Sequence, residues 1–311
     1  MAVAVADQVD NQLDWERRRR PRFALAAVAA AVLPLGAGIA NAVVYNGAPR
    51  SSLLTSLERA FQPGPIGDLP SLHLPLYAFY QDNFALLLGI ALLNALGLLA
   101  TGAVLTFLGH ATRARRPQMR SYAVYLPLIA GWVLALSGLL LVVATNIAVS
   151  SLLDGPRTVN AVADWQAGVL TAGRWLEGLG RLLLGIGFVL VCLNAMRAGL
   201  LTRFMGALGV IAGVLLVLPL GGPLPIVQAF WLVALAISIG ERFPGAVTPA
   251  WRTGRAEPWP SQLELREARH AASAASADDA GDDVAKPATS RAEPSPVAAR
   301  PASKRKRRGR N

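Results

Sequence analysis

Three charged residues spaced for a single helix face are the most chemically suggestive feature of this chain. Arg174, Glu177 and Arg181 fall at i, i+3 and i+7, and no further charge follows before Arg197. Charge beside an apolar run is costly, so it needs a reason. In the plainer reading Glu177 and Arg181 form an i,i+4 ion pair and Arg181 extends outward to water. In the functional reading this face closes an outward-facing polar cavity that receives an anionic group. Isolated polar residues elsewhere in apolar surroundings, Asn94, Asn146, Asn194, Ser137 and Gln228, are expected to bond between helices. Convergence of Asn94 and Asn146 with Glu177 and Arg181 would instead favour a solute site.

Other chemistry is sparse. The chain has no phosphate-binding glycine loop, no HExxH and no nucleophile elbow, and its single cysteine, Cys192, lies in an apolar block. His73 and His110 are expected at two interfaces and His270 in the C-terminal tail, so the histidines do not converge on a metal. No cofactor is expected, and an intramembrane enzyme is the weakest of the functional readings.

The elements that hold these residues follow from composition. A hydrophobic share of 53% over 311 residues is too apolar for a soluble domain, particularly as the C-terminal end is polar. Crossing about 30 Å of hydrocarbon takes roughly 20 apolar residues. Spans are predicted at 23–45, 83–109, 122–147 and 177–196, after a basic segment over 1–22. The uncharged stretch between Arg203 and Glu241 is too long for one crossing, and Pro219, Gly221, Gly222, Pro223 and Pro225 supply a turn. Two short helices at 204–218 and 226–240 result, with 219–225 an external turn or a re-entrant loop. The expected fold is an all-α transmembrane bundle of about six spans occupying 23–243.

Charge sets the expected orientation. Arg17, Arg18, Arg19, Arg20 and Arg22 precede the first span, Arg113, Arg115, Arg116 and Arg120 follow the second, and Arg197 and Arg203 follow the fourth. The alternate connections carry mixed charge or none. Under the positive-inside rule both termini are cytoplasmic in a plasma (inner) membrane. The basic start, apolar run and Ala40-Asn41-Ala42 resemble a signal peptide, but the run is long enough to remain as a spanning helix. Ser51-Ser52 is expected to cap a short amphipathic helix in the first external connection, and Tyr77, Phe79, Tyr80, Phe84 and Trp165 to form an outer aromatic belt. Gly209 and Gly213, with Gly206 before them, make a surface for close helix approach; Gly178, Gly185, Gly89 and Gly97 are expected to do likewise, with self-association through such faces possible.

From 244 the composition turns to Ala, Ser, Asp, Pro and Arg, and a disordered cytoplasmic tail is expected over 244–311. Its end, Lys304, Arg305, Lys306, Arg307, Arg308 and Arg310, has no acid among it and is read as a binding site for anionic lipid rather than a specific nucleic-acid patch. The run Ala195-Met196-Arg197-Ala198-Gly199-Leu200-Leu201-Thr202-Arg203-Phe204-Met205-Gly206-Ala207-Leu208-Gly209 resembles the start of a loop and span in uncharacterised bacterial multi-pass families, chiefly actinobacterial. The resemblance implies membrane topology and carries no functional residues. Trp251–Pro260 has a similar character and no assigned mechanism. The leading expectation is a structural or regulatory membrane protein whose main partner is the bilayer; the alternative is a small-solute transporter with its site near Arg181.

Overall fold

The computed structural model describes residues 2–61, 65–166, 168–218, 225–240, 248–257, 266–267 and 270. Its helices are α1 (Ala2–Asn46), α2 (Leu53–Ala60), α3 (Leu74–Asp82), α4 (Phe84–Arg115), α5 (Ser121–Asp154), α6 (Val159–Gln166), α7 (Val169–Arg197), α8 (Arg203–Val217), α9 (Ile226–Ile239) and α10 (Pro249–Thr253). All belong to one unit, Met1–Trp259; Pro260–Asn311 forms another, in which only Arg266, Glu267 and His270 are described. The C-terminal basic cluster therefore lies outside the described residues, as does 219–224 of the expected turn.

Among the described residues, four helices are long and apolar enough to cross a membrane: the α1 segment Val9–Asn46, α4, α5 and the α7 segment Leu170–Arg197. Their side-chain pattern is that of a chain solvated by lipid. On α1 the exposed residues are Leu25, Val28, Val32, Ile39 and Val43, while Ala27, Ala30, Ala31 and Ala37 are buried. Large apolar groups face out and small ones face in, because helices in lipid gain by close backbone approach rather than by hiding oil from water. The shorter apolar helices α8 and α9 have 15 and 14 residues, about 22 and 21 Å of rise, which is less than the ~30 Å hydrocarbon thickness.

Neighbouring helices pack α1 with α4, α4 with α5, α5 with α7, α7 with α8, α8 with α9 and α9 with α1. The six therefore close into a ring in chain order. Contacts through the ring's middle run between α4 and α7. Two prolines within the long helices are met by glycines on their neighbours: the Pro34 ring lies against Gly97, and Pro127 against Gly102 and Gly187. A methyl group at Gly102 would come within 2.7 Å of the Pro127 carbonyl oxygen, so only glycine permits this approach.

Local signals explain the sharp reversal between α7 and α8. Gly199 adopts φ 77°, Leu200 N–H donates to the Ala195 carbonyl at 2.9 Å and Gly199 N–H to Met196 at 3.1 Å. This is a Schellman termination, and it uses the glycine's left-handed freedom. Thr202 then caps α8, its Oγ1 accepting from Met205 N–H at 3.2 Å. The run that resembles bacterial multi-pass families is thus a compact stop-and-restart signal. Beyond it Gly213 packs on Gly185, where an added methyl would lie 2.8 Å from the Gly185 oxygen. The expected close approach is present on this face and at Gly97, and it serves packing within the chain. Gly89 and Gly178 differ: a methyl group added at either would meet nothing within 4 Å beyond its own stretch of helix, so neither is a close-approach position.

Several boundaries move. Helix α1 runs unbroken through the basic segment, and α7 begins at Val169 rather than near Glu177. Ser52 caps α2 as expected, accepting from Thr55 N–H at 3.1 Å. The belt reading needs correction at Tyr77: a separate helix, α3, buries it at 6% exposure against Val149 and Leu152. Above the ring, the first and third expected external connections join, Ser71 N–H donating to Arg157 O at 2.8 Å and Val159 N–H to Leu69 O at 3.0 Å.

Candidate functional site

The two ends of the ring are built differently, and side-chain size is the reason. Towards the end holding Arg115 and Arg197, the centre is filled by Leu105, Phe107, Leu184, Phe188 and Trp231, each at most 2% exposed. Towards the other end, the lining includes the small residues Ala37, Gly38, Ala91, Ala95, Ala135 and Gly138. A cavity of about 930 Å³ is left. Its rim carries Tyr45, Tyr77 and Tyr80, and the Tyr45 and Tyr80 rings meet edge to face at 5.8 Å.

All five residues singled out from sequence line this cavity: Asn94 from α4, Asn146 from α5, and Arg174, Glu177 and Arg181 from α7. Arg181 donates to Glu177 Oε1 as the i,i+4 pair, with side-chain exposures of 52% and 31%. Because α7 starts at Val169, Arg181 sits about three turns inside the helix, at the cavity wall. Arg174 is exposed and has no hydrogen-bond or ion-pair partner among the described residues. Two arginines and one carboxylate leave the α7 face one positive charge in excess.

The polar residues expected to bond between helices divide. Gln228 does so, donating to the Ala212 carbonyl on α8 at 3.2 Å. Asn194 and Ser137 bond instead to their own helices, at Leu190 and Leu134. Asn94 makes no hydrogen bond among the described residues, and Asn146 Oδ1 is buried with no partner. Polar groups inside an apolar helix with no protein partner are free to bond a ligand or water. The wall around them is apolar, with Leu87, Ile90, Leu98, Leu134, Leu141 and Val142. His73 lies at this rim, whereas His110 stands at the other end between Trp15 and Tyr125.

That other end holds a second constellation, which the sequence reading did not identify. Glu16, with 0% exposure, receives Arg115 in a two-point ion pair, Nη1 to Oε1 at 2.6 Å and Nη2 to Oε2 at 2.9 Å, and has Arg20 at 3.8 Å. Arg115 Nε also donates to Ala250 O at 2.9 Å, and Arg20 Nη2 to Trp251 O at 2.8 Å. Both guanidinium groups lie over the Trp251 ring, at 4.7 Å for Arg20 and 5.3 Å for Arg115. Trp251 stacks on Phe107, and its Nε1–H donates to Leu200 O at 3.1 Å. Arg20 and Arg115 are therefore corrected from solvated loop cations to buried network members. The expected tail is likewise corrected at its start, since Thr248, Ala250 and Trp251 are buried in the helical unit.

Two signals could have found this network. Leu13, Glu16 and Arg20 recur at helical spacing ahead of the apolar block, so the basic segment continues as an inward-facing stripe. Thr248-Pro249 followed by Gly254 marks a short helix with a proline at its first position and a left-handed glycine stop, φ 69°. No known protein-family model, curated protein or solved structure matches the chain.

Proposed function

We propose that this protein is a polytopic inner-membrane protein whose ring of six helices binds a small solute bearing an anionic group, as the binding unit of a transport cycle. The observation that carries this reading is the convergence of Arg174, Glu177, Arg181, Asn94 and Asn146 on one cavity, with Arg174, Asn94 and Asn146 Oδ1 unpartnered. Polar side chains without a protein partner around a cavity favour a ligand-binding role over a purely structural one.

The arrangement fits one state of alternating access, open outside and closed inside. Arg17, Arg113, Arg116, Arg120, Arg197 and Arg203 gather at the end opposite the cavity, which supports a cytoplasmic position for that end and for both termini. With that orientation the cavity faces outward and Trp251 closes the cytoplasmic end. Helices α8 and α9 form the fifth and sixth crossings, short of full thickness, and α2 lays Leu54, Leu57 and Phe61, all exposed, on the outer interface.

Charge inside the cavity offers a direct test. With Asn146→Cys in the wild-type background, where Cys192 is fully buried, a sulfonate-bearing thiosulfonate reagent should react faster than a trimethylammonium one of similar size. Arg174→Gln should remove that preference. Equal rates for both reagents before and after the Arg174 change would refute an anion-receiving cavity.

A further inference from the structure

Resting on the reading above, we infer that the ligand is an amphiphile with one negative charge. Its acidic group meets Arg174 and its apolar body lies against α1, α4 and α5.

The charge count comes from α7. Glu177 already holds Arg181, so a single cation, Arg174, is left to receive an anion. A second anion on the same ligand would find no second free cation on that face. Asn146 Oδ1 is an acceptor and favours a ligand that also presents a hydroxyl or amide N–H.

Size and lining give the rest. A volume of about 930 Å³ is far more than a bare inorganic anion or short carboxylate can fill. Leu87, Ile90, Leu98, Leu134 and Val142 give the same cavity apolar surface, and besides the α7 charges its polar lining includes Asn41, Asn94, Thr145 and Gln228. A wholly polar solute would leave those leucines wet, and a wholly apolar one would leave Arg174 and Asn146 Oδ1 without partners. Only a molecule with both characters satisfies both walls.

The test uses the full chain in nanodiscs of zwitterionic lipid, with a long-chain carboxylate carrying an environment-sensitive dansyl group as probe. Saturable binding of about one probe per chain is expected. A long-chain carboxylate or an anionic lysophospholipid should displace it, and which competes better identifies the head group; the methyl ester and acetate should not. Arg174→Gln should weaken binding about tenfold, the value of one charge-assisted hydrogen bond, and Arg174→Lys should retain most of it. Displacement by acetate as effective as by the long-chain acid would overturn the amphiphile class while leaving an anion site. Equal displacement by the ester, or unchanged binding in Arg174→Gln, would overturn the role of the charge. Absence of saturable binding, with Asn146→Cys still preferring the anionic reagent, would overturn this inference and leave the cavity reading standing.

Discussion

Glu16→Gln should be among the most damaging conservative changes in the chain. The carboxylate is fully buried and is the only acid facing Arg115 and Arg20 among the described residues, holding Arg115 at 2.6 and 2.9 Å. Glutamine keeps the shape but leaves the buried Arg115 guanidinium without the carboxylate that pairs with it. Removing one partner of a buried ion pair typically costs about 3–5 kcal/mol, and since Arg115 keeps its bonds to Ala111 and Ala250 the lower end applies, about 3 kcal/mol. At roughly 2–4 °C per kcal/mol for a domain of this size, the melting temperature in mild detergent should fall by about 6–12 °C. Pairing the change with Arg115→Met should recover part of the loss, because a missing pair is tolerated better than a lone buried charge. A melting temperature within about 1 °C of wild type for Glu16→Gln would refute the argument that these charges are desolvated and mutually dependent.

Three further outcomes follow from the same geometry. Gly213→Ala should destabilise by about 1–3 kcal/mol through its contact with the Gly185 backbone, while Gly178→Ala and Gly89→Ala, with open space around them, should leave the melting temperature unchanged. Glu177→Gln should shift stability by no more than about 1 kcal/mol, because the pair with Arg181 is solvated by the cavity, and the double change with Arg181→Gln should restore folded yield; equal losses in both singles with no recovery would point to direct ligand contacts for each. A peptide spanning Pro301–Asn311 should bind anionic vesicles, ignore neutral ones and detach as salt rises, and salt-independent binding would contradict an electrostatic attachment.

What could be read from the chain was whatever depends on length and on spacing along one helix. The crossings, the short pair α8 and α9, the Glu177–Arg181 pair and the Ser52 cap are local consequences of residue type at fixed offsets. Gathering Asn94, Asn146 and the α7 face into one cavity required knowing which helices are neighbours, and nothing local encodes that. The cavity itself arises from small residues on α1, α4 and α5 that meet at one level, a pattern visible only after those helices are placed together. Arg115 illustrates the limit most clearly. In sequence it is one arginine among several in a basic segment; only the bound Trp251 helix and the inward turn of Glu16 distinguish it from Arg113 and Arg116.

A cavity open outside and sealed inside is measured directly by sidedness of labelling. In intact cells, a membrane-impermeant maleimide should label Asn94→Cys and leave Thr253→Cys unmodified until the membrane is permeabilised, whereas Leu105→Cys, in the filled half, should resist it throughout. Labelling of Thr253→Cys from outside, or protection of Asn94→Cys on both sides of the membrane, would contradict it.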